Sequence, residues 1–411
     1  MPNPYARIFA APGAKGFTAA SLIGRMPVAM TGIGIITMLS VTEGDYALAG
    51  AVAATFTLAM AVIAPQVSRL ADRFGQRRVL PAAAGAGIAG ICLLLLAVRL
   101  DLPAWTFFAA AVPAGAVPNM SAMARARWTE LYRGTPRLHT AYSFESVADE
   151  ITFIAGPALS VVLSTMAFAQ GGPLAAAVLL AAGVLLFTAQ RSTEPPVRPA
   201  AERARGALPL PLRSGPLAVL ALTLLAGGVI VGTVDVVAVA FAESLGVPGA
   251  TGIVLSAYAL GSAASGLAFG ALDLPWKPHR ALLAAVAGTG LTTLPLLFAG
   301  GIWTLSAAVL IAGAFFAPTM ITAMTLIEKA VPASSLTEGM TWALTGLTVG
   351  TGIGTLAAGL VVERAGTTAG FAVAVAAGAL AAATAALSQR LLGRAVRAAE
   401  DGGARHAGAV G

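Results

Sequence analysis

Apolar residues run through this chain in stretches of about 20, separated by short polar segments in which arginine recurs. The stretches fall at about 17–39, 47–67, 79–98, 104–123, 142–165 and 172–190. A second series follows at about 216–240, 250–271, 281–299, 303–326, 338–361 and 369–388. About 20 apolar residues in helical form cross the hydrocarbon of a bilayer. Lipid offers the backbone no hydrogen bonds, so only helices or closed barrels span it. A barrel would show segments of about ten residues alternating apolar with polar. These long unbroken runs instead predict an all-α membrane protein with twelve transmembrane helices.

Composition agrees with that reading. Of 411 residues, 57% are hydrophobic and 10% charged, with a mean hydropathy of +0.84. A soluble domain carries roughly a quarter charged residues, and a disordered chain lacks apolar material; both classes are excluded. The net charge of +7 does not imply nucleic acid, because the basic residues lie between apolar runs instead of along one stripe. Cys92 is the single cysteine, so no internal disulfide or cysteine-rich metal site is expected. His139, His279 and His406 are scattered without metal spacing, and no metal or cofactor is implied. Gly85-Ala-Gly87-Ile-Ala-Gly90 fits a dinucleotide fingerprint but lies inside a span with no preceding strand, where helix packing explains it. No Walker sequence is present, so direct drive by ATP is not expected, and nothing points to an enzyme.

Lysine and arginine set orientation. With the N-terminus in the cytoplasm, nearly all 25 basic residues fall in inside segments; Arg99 and Arg364 fall outside and Arg25 within a span. Arg125, Arg127, Arg133 and Arg137 are read here as one inside loop. The first apolar stretch is too long for a signal-peptide core and is read as retained. The chain is expected to be multi-pass in the plasma membrane, with both termini cytoplasmic. The Pro-rich, mixed-charge stretch 191–215 reads as a cytoplasmic linker. It divides the chain into a six-helix bundle at 1–190, a second at 216–388 and a cytoplasmic tail at 389–411. Pro118-Asn-Met-Ser-Ala-Met123 in the fourth span and Pro318-Thr-Met-Ile-Thr-Ala-Met324 in the tenth match with one insertion, favouring duplication.

Between the second and third spans lies Ser68-Arg-Leu-Ala-Asp72-Arg73-Phe-Gly75-Gln-Arg77-Arg78. This resembles the signature loop of the major facilitator superfamily, with serine at position 68 where glycine is usual. The resemblance extends over the chain through the twelve spans and central linker. It implies two six-helix bundles around a central cavity, alternating access, and a gating role for the loop residues Asp72, Arg73, Gly75, Arg77 and Arg78. Physically, Gly75 permits a tight turn, Arg77 and Arg78 suit an anionic leaflet, and Asp72 could accept from a helix N-terminus. The eleventh span offers such a start in the capping-box sequence Ser335-Leu-Thr-Glu338. A second copy of the loop, Gly270 to Arg280, is eroded to Asp273, Lys277 and Arg280.

Ionisable groups inside spans mark function. In the fifth span Glu145 and Asp149 share a face, with Glu150 about 100° round the helix. Arg25 in the first span and Asp149 both lie roughly 12 Å in from the cytoplasmic side, so Arg25 is expected to pair with Asp149 or Glu150. Two carboxylates beside one guanidinium leave a negative charge uncompensated, a protonation switch suited to proton coupling. Gly156-Pro157 resembles the antiport-associated motif of exporters in that superfamily, with Thr152, Ser160 and Val161 at positions where glycines are usual. The family's intramembrane arginine of the fourth span is replaced by Ala111. Gly346, Gly350 and Gly354 make a flat face on the eleventh span, with the second span as the expected partner. Arg25, Asn119, Asp235 and Phe315 are candidate solute contacts.

The expected activity is export of a small organic solute against a proton gradient, by a monomer in the lipid bilayer. Import of a sugar or organic acid, uncoupled facilitation, and a non-transporting scaffold or sensor are the rivals.

Overall fold

The computed structural model describes residues 4–43, 46–197, 215–247, 250–272 and 276–397. Asp273, of the eroded second loop, and most of the linker, from 198 to 214, lie outside these. All regular structure among the described residues is helical. Ten of these helices are long and apolar enough to cross a membrane. One of them, Leu336–Leu387, is two spans, because Gly366 (φ 83°, ψ 174°) turns the chain in a conformation only glycine adopts easily. The fourth span is added as two shorter pieces, Trp105–Ala114 and Met120–Tyr132. The total is twelve. Exposed Leu58, Val62, Leu185, Leu260 and Leu356 lie along them, apolar surface suited to lipid.

The chain divides into two compact units, Met1–Leu138 with Ala148–Ala204, and His139–Val147 with Arg205–Gly411. The second unit thus includes the start of the fifth span, Arg137–Val162. There His139 Nε2 lies 2.9 Å from the Phe269 carbonyl and Thr140 donates to that of Gly270 at 2.9 Å. Those carbonyls belong to the last turn of Thr251–Ala271, where orphan acceptors need partners.

Lipid supplies no hydrophobic drive between helices, so packing relies on small residues that let backbones approach. In the first unit Gly24 and Gly183 bring the first and sixth spans together. A Cβ on Gly156 would sit 2.7 Å from that of Ala29, and Ser160 donates to the Met30 carbonyl at 2.9 Å, closing the fifth span on the first. The break in the fourth span packs on the second through Gly115 against Ala59 and Met60, and on the third through Gly90 against Pro113 and Ala114.

The second unit repeats the scheme. Its tenth span breaks at Ala314–Phe315, between Ile302–Gly313 and Phe316–Ala330. The break meets the eighth span through Gly313 against Tyr258 and the ninth through Gly288 against the Phe315 ring. Pro118 lies in the first break and Pro318 in the first turn after the second, so the sequence repeat falls beside a repeated kink.

Two expectations about the eleventh span are corrected. Gly346, Gly350 and Gly354 pack against the Ala221, Leu225 and Val229 carbonyls of the seventh span, Gly215–Ser244, which answers with Gly228 and Gly232. A face of small residues accepts any helix with a matching face, and here the seventh has one. Ser335 is the N-cap residue but its side chain makes no capping hydrogen bond, so the capping box does not form.

Candidate functional site

The inner piece of the fourth span, Met120–Tyr132, begins where Asn119 accepts from the Ala122 N–H at 3.0 Å, a side-chain cap. From this start the helix carries Ser121 and, one turn on, Arg125, on the same face. Arg125 is fully buried. Its Nη2 donates to Asp149 Oδ2 at 2.8 Å and its Nη1 donates to Ser121 Oγ. Arg25, 3% exposed, donates from Nη1 to Asp149 Oδ1 at 2.9 Å. Ser21, one turn before Arg25, accepts from Arg25 Nη2 at 2.8 Å and donates to the Met120 carbonyl at 3.2 Å. Ser121 also donates to Asp149 Oδ2 at 2.9 Å. A single carboxylate therefore bridges two buried guanidinium groups across the first, fourth and fifth spans. Its side chain is 22% exposed.

The pairing of Arg25 falls on Asp149. Arg125 corrects one reading: it is not a loop cation but a fully buried residue of a helix that continues the fourth span. Sequence counting placed it outside because the apolar run fades near position 123. The signal was the company it keeps, Met123, Ala124, Ala126 and Trp128.

Arg127 is corrected in the same way. It is fully buried and donates to Gln76 Oε1 (2.9 Å), the Gln190 carbonyl (2.9 Å), Thr193 Oγ1 (3.0 Å) and the Phe187 carbonyl (3.0 Å). Its guanidinium lies 3.8 Å from the Phe187 ring centroid. The start of the linker is thus built onto the bundle. Glu194 Oε1 accepts from the Arg77 N–H at 2.8 Å, at the first turn of Gln76–Arg99.

That helix and Tyr46–Phe74 are separated by Gly75 alone, at φ 92° and ψ 147°. Arg73, Arg77 and Arg78 are exposed beside the turn, Asp72 is half-buried and Ser68 is fully buried. A cavity of 870 Å³ lies between the loop and the linker, lined by Arg73, Arg77, Arg78, Arg191, Glu194 and Val197 among others.

The remaining candidates are dispersed. Glu145 is fully buried and belongs to the second unit, whereas Glu150, half-buried, belongs to the first. Asp235 is exposed on the seventh span. Phe315 is 37% exposed and packs on Gly288. No cluster of three or more metal-ligating side chains occurs among the described residues.

Twelve spans in two repeated units, with a bridged ion triad inside one, describe a multi-pass membrane protein. The chain belongs to the Major Facilitator Superfamily, whose family model matches residues 17–250 and 220–407. It is a multi-pass secondary transporter of small solutes, not an enzyme. Similar solved structures include the human organic anion transporter MFSD10 (TETRAN), 13% identical with a TM-score of 0.71, covering 91% of this chain and 100% of that one. A bacterial homologue of the iron transporter ferroportin, in its outward-facing state, is 14% identical with a TM-score of 0.72, covering 91% and 98%. The E. coli fucose:proton symporter FucP is 17% identical with a TM-score of 0.62, covering 90% and 98%. No curated protein matches the chain. At these identities the likeness is one of fold.

Proposed function

We propose that this chain is a proton-coupled secondary carrier that exports a small organic solute by alternating access, with Asp149 as the group shared by proton and solute. The supporting observation is the bridge: Asp149 holds Arg25 and Arg125 at 2.9 and 2.8 Å. Protonating that carboxylate weakens both ion pairs at once and so loosens three spans together. Export by exchange requires proton and solute to compete, as they do if the solute brings a donor or positive charge to Asp149. Glu150 is the second candidate proton carrier and Glu145 the third. Asn119 uses its carbonyl oxygen in the cap, which leaves its amide nitrogen for solute. Asp235 and Phe315 stand as individual proposals for solute contact. The loop from Asp72 to Arg78 is assigned the gating role. The domain limits at 190, 215 and 388, cytoplasmic termini, a plasma-membrane location and a monomeric state complete the proposal.

The second guanidinium favours one other reading. An anionic solute would take an arginine from Asp149, and the released carboxylate would then accept a proton more readily. Linkage makes such binding mutually favourable, so proton and solute would travel together.

One experiment separates these. The full chain is reconstituted in liposomes, a pH gradient is imposed, and a solute panel is screened for flux. Gradient-driven flux is expected to be lost in Asp149→Asn while solute counterflow persists, with a smaller effect in Glu150→Gln. Solute affinity that rises with pH supports exchange; affinity that falls with pH supports co-transport. Undiminished gradient-driven flux in both variants removes the coupling scheme.

A further inference from the structure

The cavity beside Gly75 is formed by parts of the chain that lie far apart in sequence. The end of the second span gives Arg73 and Phe74, the start of the third gives Arg77 and Arg78, and the linker gives Arg191, Glu194, Pro195, Pro196 and Val197. Four arginines and one glutamate are among the residues lining these 870 Å³. That carboxylate is engaged, because Glu194 Oε1 accepts from the Arg77 N–H at 2.8 Å. The 24-residue helix Gln76–Arg99 directs the positive end of its dipole to the same place. Arg77, Arg78 and Arg191 are exposed, and no carboxylate pairs with them among the described residues.

Buried contacts hold the start of the linker, residues 190–193, in this place. Arg127 fixes the Gln190 carbonyl and Thr193 Oγ1, and Gly13 leaves room for Gln190, Ser192 and Thr193, whose atoms a Cβ would meet at 2.9–3.1 Å. Arg191 is therefore placed at the loop by a buried anchor. Two apolar side chains of the cavity lining, Phe74 (44%) and Val197 (49%), are exposed. A cationic cup with an apolar flank matches an anionic headgroup attached to acyl chains, and a free ion would have no use for the flank.

We propose that this cup is a binding site for the phosphate headgroup of an anionic phospholipid, with Arg73, Arg77, Arg78 and Arg191 on the phosphate and Phe74 and Val197 against the acyl chains. The site joins the loop to the linker, so an occupying lipid ties both to the bilayer surface. It is independent of the coupling scheme at Asp149.

The test is native mass spectrometry of the full chain in detergent, titrated with phosphatidylglycerol, phosphatidylcholine or inorganic phosphate. One phosphatidylglycerol is expected to bind in preference to phosphatidylcholine. Each arginine near an anionic lipid contributes about fivefold, so Arg77→Gln with Arg191→Gln should weaken retention about thirtyfold. The Arg77→Lys, Arg191→Lys pair should keep most of the binding, which guards against a folding artefact. Arg133→Gln, an exposed arginine outside the cavity, should match the parent. Equal retention of the two lipids overturns the proposal, as does an equal loss in Arg133→Gln, which would mean diffuse attraction. Competition by millimolar inorganic phosphate overturns the lipid source and assigns the cup to a free anion.

Discussion

Replacing Arg127 with methionine should release the start of the linker while leaving the spans assembled. Arg127 makes two hydrogen bonds to that segment, to the Gln190 carbonyl and Thr193 Oγ1, at 2.9 and 3.0 Å. Hydrogen bonds from a charged group are worth about 1.5–3 kcal/mol each, so the lower end gives about 3 kcal/mol for the pair. Each 1.4 kcal/mol is about a factor of ten, so the opened form of residues 190–197 becomes roughly a hundredfold more populated. Methionine is similar in length and apolar, and it keeps contact with Phe187 and Phe17, which limits the damage to packing. Limited trypsin digestion in detergent reads the population directly where opening and closing outpace cleavage. Cleavage after Arg191, an exposed residue on the held segment, should accelerate by about two orders of magnitude. Cleavage after Arg133 is the internal control, because Arg133 lies in an exposed turn that Arg127 does not hold. Acceleration at both sites would signify general unfolding, and an unchanged rate at Arg191 would refute the anchoring role.

Two further substitutions probe the backbone. Gly75→Ala puts a Cβ at φ 92°, 3.1 Å from Glu194 Oε1; a strained conformation costs on the order of 1–3 kcal/mol, so the thermal midpoint in detergent should fall and trypsin should reach Arg191 sooner. Gly350→Ala drives a Cβ into the Leu225 carbonyl, whereas Gly352→Ala meets nothing within 4 Å. The first should lower the thermal midpoint and the second leave it within error; equal effects would refute the tight packing of the seventh and eleventh spans.

The extent to which the site was legible in the sequence varies with the physics behind each residue. Arg25 and Asp149 stood out because an ion inside a run of apolar residues is costly and rare, and their shared depth followed from a rise of 1.5 Å per residue. Arg125 did not, because positive charges near the ends of spans are common and are ordinarily read as topology. Its role comes from the break after Ala114, which carries the fourth span on as a second helix to Tyr132. Asn119 was visible as a polar residue in a span, but its use as a cap depends on where that second helix starts.

Hydrophobic pattern alone determined that the chain crosses a bilayer in helices and how many there are, because lipid penalises every unpaired backbone group regardless of neighbours. The Gly75 turn was also local, since φ 92° is a property of one residue. Partners were decided only in three dimensions. Glycine faces on the eleventh span meet the seventh, Asp149 bridges two arginines, and Glu194 reaches Arg77 across 117 positions of chain. Each of those depends on which helices lie side by side, and small residues and charges at the right spacing are compatible with several neighbours until packing selects one.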